Sequence, residues 1–205
     1  MSVTAIVLAG GRSSRFGSPK VAAELDGRPL LDHVLDAVAA VATDVVVVLG
    51  PDQPAPAMPA GVRAVRDTQE FGGPLVGLAV GLEASTSLRA VVVGADMPRL
   101  RPAVLEALLA ALADPGRPAA ILEEPAGRRP LPLALAVEPA RRAAVATLAS
   151  GGRSLLALLE RLEVAVVPAA QWRALDPDGD SLADVDRPED LERLRTSDPG
   201  PGGLP

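Results

Sequence analysis

Three short apolar runs, rich in β-branched residues, constrain the fold of this chain more than any other feature. They are Thr4–Ala9, Asp44–Leu49 and Ala90–Val93, and each is followed by a glycine-containing turn or loop. Their apolar residues are nearly continuous instead of alternating with polar ones, which is typical of strands that helices cover on both faces. Segments with helical spacing lie between the runs. This order predicts a three-layer α/β/α Rossmann-like domain with a mainly parallel sheet.

The rest of the chain continues the alternation. Further predicted strands are Val62–Arg66, Ala119–Glu123, Leu133–Val137 and Val164–Val167, and the predicted helices are Leu30–Ala42, Pro74–Ser85, Pro102–Ala113, Pro139–Ala149, Ser154–Leu162 and Pro188–Arg195. A chain of 205 residues is long enough for one well-buried core and short for two. We therefore expect a single domain over residues 1–195. The tail 196–205 is rich in proline and glycine, which predicts disorder.

Composition excludes several classes of function. The chain has no cysteine and a single histidine, His33, which rules out thiolate chemistry and disfavours clusters of metal-binding histidines. A formal net charge of -6, with one Trp, two Phe and no Tyr, disfavours a nucleic-acid partner. Neither a membrane-spanning run nor a leader is visible, so we expect a cytoplasmic protein with no membrane partner. His33 lies in a helical pattern, and we expect it to be packed or on the surface.

A glycine-rich loop, LAGGRSSRFGSPK, runs from Leu8 to Lys20 directly after the first strand. Ligands of parallel sheets bind beyond the carboxyl ends of the strands. Glycines allow the backbone to approach a ligand, and Arg12, Arg15 and Lys20 add positive charge, which together suit a triphosphate. The spacing fits neither the Walker A motif nor G-x-G-x-x-G. The alternative is a glycine-rich surface loop without a ligand.

Two more carboxylates follow strands. Asp96, in VVVGADMP, could hold Mg²⁺ together with water and phosphate, or could cap the next helix, although a turn separates them. Asp67 follows the third predicted strand and precedes FGGPLVGLAVGL. Glycines at the start of that helix could admit a base or ribose at close range. Alternatively, Gly77 and Gly81 only allow the helix to pack closely.

Near the C-terminus, Asp184 and Asp186 precede a helix that begins at Pro188. Asp186 could cap this helix, or one of the two aspartates could be a second carboxylate near a metal. Two basic segments, Arg128–Arg129 and Arg153–Ser154, are candidates for binding the phosphate of an acceptor.

Taken together, these motifs resemble the molybdenum cofactor guanylyltransferases, which have a nucleotide-diphospho-sugar transferase-like fold. The motifs are LAGG-x-S-x-R-F-G-x-x-K, D-x-x-x-x-G-G-P-L-x-G-L-x-x-G-L, A-D-M-P and D-R-P-E-D-L, in this order. The segments Arg129–Val137 and Leu148–Leu159 look like the acceptor-side segments of that family. The resemblance covers nearly all of the chain to about Leu194.

The resemblance implies transfer of GMP from GTP to the phosphate of Mo-molybdopterin, which forms molybdopterin guanine dinucleotide and releases pyrophosphate. It assigns the GTP site to Leu8, Ala9, Gly10, Gly11, Lys20, Asp67 and Asp96. It assigns catalysis to Lys20, Arg15 and Asp96, and Mg²⁺ binding to Asp96 with Asp186. It assigns the acceptor site to Gly73, Pro74, Leu75, Arg153 and Ser154. It also implies transient contact with molybdoenzyme maturation proteins, and we expect a monomer or a weak oligomer.

Base and acceptor identity stay open at this point. Gly11 leaves room for a purine, because related cytidylyltransferases usually carry alanine there. After the second strand, however, Gly50–Asp52 stand where the guanylyltransferases often have asparagine near a basic residue. Asp184 and Asp186 replace two amides of the family motif. The alternatives are a sister enzyme that uses CTP with molybdopterin, one that uses GTP with another phosphorylated acceptor such as phospholactate, and a non-catalytic nucleotide-binding module.

Overall fold

A computed structural model describes residues 2–10, 23–67, 72–114, 116–124 and 129–196. In chain order its elements are β1 (Val3–Leu8), β2 (Glu24–Leu25), β3 (Arg28–Pro29), α1 (Leu30–Ala39), β4 (Asp44–Leu49), β5 (Val62–Arg66), α2 (Pro74–Ala84), β6 (Arg89–Gly94), α3 (Pro102–Ala111), β7 (Ala119–Leu122), β8 (Leu133–Ala136), α4 (Val137–Ala149), α5 (Leu155–Leu159), β9 (Val164–Val167), α6 (Ala169–Leu175), a short 3₁₀ helix (Asp180–Leu182) and α7 (Pro188–Thr196). None of the described helices is long and apolar enough to cross a bilayer.

The main sheet follows the order β5-β4-β1-β6-β8-β7-β9. Strand β1 pairs in parallel with β4 and β6, β4 with β5, and β7 with β9. Strand β8 runs antiparallel to both of its neighbours, β6 and β7. The predicted mainly parallel sheet is therefore confirmed, and the carboxyl ends of its parallel strands meet at one edge. That edge is where ligands of such sheets bind.

The continuous apolar strands are buried on both faces, as predicted. In β4, Val45, Val47 and Leu49 join the core under α1 and α3, whereas Val46 and Val48 join the core under α2, α4 and α5. Successive side chains of a strand point to opposite faces, so one apolar run supplies both cores. Each fully buried valine contributes roughly 1.5–3 kcal/mol to folding. The three-layer α/β/α architecture is thus confirmed.

Most predicted elements appear with ends shifted by a few residues, but four elements are new: the two strands of a hairpin, one α-helix and one 3₁₀ helix. The β2–β3 hairpin turns at Asp26 and Gly27, whose φ values are 53° and 75°, and its two-residue strands are too short to show a period. Helix α6 and the 3₁₀ helix were also not predicted. His33 Nε2 lies 2.9 Å from the Leu25 carbonyl oxygen, to which it can only donate. The single histidine therefore holds the hairpin against α1.

A small third core joins the hairpin to the C-terminal helix. It consists of Leu25, Leu30, Val185, Leu191 and Leu194. The segment that follows the glycine-rich loop is thereby packed against α7. Helix α7 extends through Thr196, the first residue of the predicted disordered tail, and residues 197–205 lie outside the described part of the chain.

Candidate active site

The end of β1 lies at the centre of the ligand-binding edge, between the ends of β4 and β6. The Ala9 amide donates to the Val48 carbonyl oxygen at 2.8 Å, and the Ala95 amide donates to the Leu8 carbonyl oxygen at 3.0 Å. Leu8 and Ala9 are half-buried, and Gly10 is exposed. The start of the glycine-rich loop is therefore held on both sides by backbone hydrogen bonds at the edge that the sequence predicted.

The end of β4 brings a second group of predicted residues to this place. A Cβ atom on Gly10 would lie 3.2 Å from the Gly50 nitrogen, so the two backbones nearly touch. The Asp67 amide donates to the Leu49 carbonyl oxygen at 2.8 Å. A Cβ atom on Gly77 would lie 3.9 Å from Asp67 Oδ2. The nucleoside-side residues proposed from the sequence are thus adjacent in space, across three neighbouring strands.

Asp96 follows β6, on the other side of β1, and is half-buried. Its carboxylate folds back over Gly94, where an added Cβ atom would lie only 2.3 Å from Asp96 Oδ1. The carbonyl oxygen of Asp96 accepts a hydrogen bond of 2.9 Å from the Val185 amide. Helix α3 has Arg101 at its N-cap position and no side-chain cap. The alternative that Asp96 caps this helix is therefore wrong.

The bond from the Val185 amide places both neighbours of Val185, Asp184 and Asp186, beside the Asp96 loop. The amides of Asp186 and Arg187 donate to Asp190 Oδ2, at 2.9 and 2.8 Å. Partial burial raises the pKa of Asp190, but these two hydrogen bonds and the charge of Arg193 hold it below its ordinary value. Asp190 thus binds backbone amides that precede α7.

Asp184 has a different environment from Asp186. Its Oδ1 lies 3.6 Å from Arg129 Nη2, and Arg129 also contacts Glu124 and donates to the carbonyl oxygen of Leu182. Arg129 therefore clamps the C-terminal segment, and an acceptor phosphate would have to compete with two carboxylates for it. Both aspartates flank Val185 and so lie beside the Asp96 loop, and Asp184 is the one that is paired with Arg129.

The predicted acceptor-side residues also meet in space, although they lie far apart in the sequence. The Leu75 amide donates to the Arg153 carbonyl oxygen at 3.1 Å. Gly73 has a φ of 86°, and a Cβ atom on it would lie 2.7 Å from that same oxygen. Ser154 accepts a hydrogen bond from the Ala157 amide and caps α5. The start of α2 and the start of α5 therefore form one junction at the ligand-binding edge.

The side chain of Arg153 contributes to this junction through the backbone of α4. It donates to the carbonyl oxygens of Leu148 and Gly152, at 3.1 and 3.0 Å. A cation at the carboxyl end of a helix is favoured by the helix dipole. The structure thus gives Arg153 a role in holding the junction, and binding of an acceptor phosphate stays a prediction.

A cavity of about 800 Å³ lies on the C-terminal side of the site. Charged side chains of both signs line it, among them Arg129, Arg173, Asp180, Asp184, Asp186 and Arg193. It borders both Asp184 and Asp186, which flank Val185 beside the Asp96 loop. The C-terminal segment thus offers polar space beside Asp186, one of the two predicted metal-binding carboxylates.

The donor set at Asp96 and Asp186 fits Mg²⁺. In the part of the chain that the structure describes, no group of three or more His, Cys, Asp or Glu side chains could hold a metal. Zinc sites usually need three or four protein ligands, whereas Mg²⁺ binds through one or two carboxylates and takes its other ligands from water and phosphate. Carboxylates such as Asp96 and Asp186 therefore have the chemistry that Mg²⁺ prefers, and binding of the ion by this pair stays a prediction.

Several predicted residues lie outside the described residues. They are Gly11, Arg12, Arg15, Lys20 and Arg128. Their roles stay predictions.

Sequence reasoning named Gly50–Asp52 after β4 but missed the roles of Gln53 and Arg66 in that turn. Gln53 Oε1 accepts a hydrogen bond of 3.2 Å from the Gly50 amide. Arg66 Nη1 donates to three carbonyl oxygens of the same turn, those of Gly50, Pro51 and Gln53, at 3.2, 3.1 and 2.6 Å. A signal was available: Arg66 ends the predicted strand Val62–Arg66, which follows this turn in the chain, and a basic side chain there can reach the carbonyl groups of the turn.

Comparison with known proteins places this geometry in a family. Residues 5–166 match the family model of the MobA-like NTP transferase domain. The molybdenum cofactor guanylyltransferase of Desulfosudis oleivorans is 32% identical over 201 residues, which cover 96% of each chain. The crystal structure of molybdopterin-guanine dinucleotide biosynthesis protein A from Archaeoglobus fulgidus is similar with a TM-score of 0.78 at 26% identity, over 95% of this chain and 97% of that one.

The fold extends to transferases with other substrates. The 2-C-methyl-D-erythritol 4-phosphate cytidylyltransferase of Thermus thermophilus is similar with a TM-score of 0.72 at 20% identity, over 96% of this chain and 98% of that one, and this likeness concerns the fold alone. The chain thus has the nucleotide-diphospho-sugar transferase fold, and it belongs to the family of the MobA-like NTP transferases and, within it, to the molybdenum cofactor guanylyltransferases.

Proposed function

We propose that the chain transfers GMP from GTP to the phosphate of Mo-molybdopterin, forming molybdopterin guanine dinucleotide and releasing pyrophosphate. Membership of the guanylyltransferase family supports this reaction. The observation that carries it is the hydrogen bond of 3.0 Å from the Ala95 amide to the Leu8 carbonyl oxygen, which joins the Asp96 loop to the nucleotide loop. We expect the reaction to take place in the cytoplasm, with transient contact to molybdoenzyme maturation proteins.

The chemistry is an in-line displacement at phosphorus. An oxygen of the acceptor phosphate attacks the α-phosphorus of GTP and forms the new P–O bond, while the bond from that phosphorus to the bridging oxygen of pyrophosphate breaks. The nucleophile is already an anion, so little proton transfer is needed. Catalysis then depends on positioning the two substrates and on neutralising charge.

Each part of the site has a task in this reaction. The backbone of Leu8–Gly10 and the carboxylate of Asp67 would hold the nucleoside, because they border the same strand ends. Arg15 and Lys20 would take the negative charge that develops on the leaving pyrophosphate. Helix N-termini favour phosphate groups, and the junction of Gly73–Leu75 with Arg153–Ser154 would therefore receive the acceptor. Because the Leu75 amide already donates to Arg153, Leu75 would contribute packing there.

Asp96 and Asp186 would hold Mg²⁺. The bound ion would supply positive charge that offsets the negative charge of the nucleotide phosphates. The fixed position of Asp96, whose carboxylate lies over Gly94 and whose carbonyl group accepts from the Val185 amide, supports this part of the proposal.

The proposal is tested by measuring pyrophosphate release from GTP, CTP and ATP with Mo-molybdopterin and Mg²⁺. We expect release with GTP, loss of release with EDTA, and recovery on adding Mg²⁺. Asp96→Ala is expected to abolish release without changing the thermal unfolding midpoint. Asp36→Ala is the matched control, because Asp36 is an exposed residue of α1 whose carboxylate pairs with Arg28 on the surface; this variant should keep full activity.

The outcomes separate the alternatives. A preference for CTP would identify a cytidylyltransferase that acts on molybdopterin. Release from GTP with phospholactate but not with molybdopterin would keep the nucleotide and change the acceptor. GTP binding without release for any acceptor would indicate a non-catalytic nucleotide-binding module, and an unchanged rate in Asp96→Ala would remove Asp96 from the mechanism.

A further inference from the structure

The turn Gly50–Gln53, which we call the β4 turn, lies between two parts of the nucleoside site. On one side, the Gly10 backbone is so close that an added Cβ atom would lie 3.2 Å from the Gly50 nitrogen. On the other side, the Asp67 amide donates to the carbonyl oxygen of Leu49, the residue that precedes the turn. A nucleoside held by Leu8–Gly10 and Asp67 therefore places its base beside this turn.

The side chain of Gln53 folds back over Gly50. Its Oε1 accepts a hydrogen bond of 3.2 Å from the Gly50 amide, and it would lie 3.5 Å from a Cβ atom on Gly50. The Gly50 N–H can only donate, so the partner on Gln53 must be the oxygen, which settles the orientation of the carboxamide. Gln53 is half-buried, and within the described residues its Nε2 group donates no hydrogen bond.

Arg66 holds the β4 turn in place. It donates to the carbonyl oxygens of Gly50, Pro51 and Gln53, at 3.2, 3.1 and 2.6 Å. These bonds occupy acceptors of the turn and fix its backbone. The turn also carries the exposed carboxylate of Asp52, an acceptor, and the Nε2 amide of Gln53 is a side-chain donor that it presents beside the Gly10 backbone.

We propose that Gln53 reads the base: its Nε2 donates to the carbonyl oxygen at position 6 of guanine, and Arg66 is the positioning residue that holds the turn. This inference rests on the proposed function. Guanine and adenine have the same ring system, but guanine carries an acceptor at position 6 and adenine carries an amino donor. A fixed donor beside the base therefore favours GTP over ATP, because a site built for one hydrogen-bonding pattern rejects the opposite one.

Two substitutions at Gln53 distinguish recognition of the base from structural support of the β4 turn. Gln53→Glu keeps an oxygen that can accept from the Gly50 amide but replaces the donor with an acceptor. Gln53→Ala removes both groups. Gln171→Ala is the matched control, since Gln171 is an exposed residue of α6, which follows β9 at the opposite side of the sheet.

The measurements are the dissociation constants of GTP and ATP by calorimetry, with Mg²⁺ and without acceptor, and kcat and KM for pyrophosphate release. We expect both Gln53 variants to bind GTP about tenfold more weakly, as for the loss of one hydrogen bond. ATP binding should stay the same in Gln53→Ala and improve in Gln53→Glu. The loss should appear in KM with kcat retained, which is the behaviour of an interaction made equally in the ground and transition states. Arg66→Ala should lower the GTP-to-ATP ratio as well, with partial recovery in Arg66→Lys.

An unchanged GTP-to-ATP ratio in Gln53→Glu would overturn the proposal. So would an equal loss of GTP and ATP binding in Gln53→Ala together with normal binding in Gln53→Glu, because that pattern indicates support of the turn alone. If Gln53→Ala fails to fold, Gln53→Glu decides, since it retains the bond to Gly50. Failure of the proposed function can be distinguished from failure of this inference. If the proposed function is wrong, the unmodified chain releases no pyrophosphate, whereas the ratio of GTP to ATP binding still tests the role of Gln53.

Discussion

Gly94, the last residue of β6, leaves the space into which the Asp96 carboxylate folds. A Cβ atom on Gly94 would lie 2.3 Å from Asp96 Oδ1 and 3.4 Å from Met97 Cγ. The substitution Gly94→Ala must therefore push the carboxylate away by about 1 Å to restore an ordinary contact distance. Because the displaced atom is the end of a side chain and not backbone, we expect the fold to remain intact.

The expected loss of activity is large for such a small change. A misplacement of about 1 Å at a reacting centre can lower the rate by about 100-fold, and this corresponds to roughly 2.7 kcal/mol in activation free energy. The free energy of unfolding should change by only about 1 kcal/mol, the usual size of a glycine-to-alanine effect. Gly94→Ala should thus separate activity from stability.

Pyrophosphate release from GTP gives the rate, and thermal unfolding gives the stability. Gly116→Ala is the matched control: its added Cβ atom would also face an aspartate oxygen, at 3.3 Å from Asp114 Oδ1, in an exposed turn after α3. We expect normal activity for this control. A Gly94→Ala variant with an unchanged rate would refute the reasoning, since either the carboxylate has not moved or its position does not matter.

Two further predictions concern packing and pH. Gly81→Ala should lower the free energy of unfolding in denaturant by about 1–3 kcal/mol, as for overpacking, because its Cβ atom would lie 2.5 Å from a β1 side chain. For Gly77→Ala the nearest contact of the added Cβ atom would be 3.5 Å. This variant should keep its stability and bind GTP more weakly, because Gly77 lies near Asp67. Partial burial raises the pKa of Asp44, but hydrogen bonds from Arg63 and two threonines outweigh it and hold that pKa below its ordinary value. A carboxyl of this kind stabilises the fold above its unfolded pKa of about 4, and the stabilisation is lost as pH falls through the lower folded value. Asp44→Asn should therefore flatten the acid limb of the unfolding free energy and leave activity at neutral pH unchanged, since Asp44 begins β4 at the edge opposite the site.

Equal stability of the Gly81 and Gly77 variants would contradict the packing argument. Loss of pyrophosphate release in Asp44→Asn at neutral pH, with the fold intact, would contradict the placement of Asp44 away from the site. An acid limb with the same slope as in the unmodified chain would show that Asp44 does not govern acid stability.

The architecture and the location of the site follow from local sequence. Apolar runs such as Asp44–Leu49 are too short for most helices and too continuous for a half-exposed strand, so their physical solution is a buried parallel sheet. Once the strands are parallel, the polar residues after them must meet at one edge. Leu8–Gly10, Asp67 and Asp96 could be assigned to that edge for this reason, and the family resemblance then assigned them to one GTP site.

Tertiary structure alone decided how those residues are held. Three features join segments that are distant in the chain. They are the antiparallel direction of β8, the contact of Gly73 with Arg153, and the ion pair of Arg129 with Asp184. No local period or propensity encodes such contacts, because they depend on which surfaces the packed layers bring together.

Gly94 and Gln53 show, within the site, which features the local sequence predicts and which ones only the folded chain decides. The sequence by itself placed a carboxylate two residues after Gly94 and a polar turn after β4, since both follow from strand ends. Only the folded chain directs the Asp96 carboxylate back over Gly94 and the Gln53 carboxamide back onto Gly50. Side-chain direction is set by the atoms that surround it after packing, and those atoms come from the whole chain.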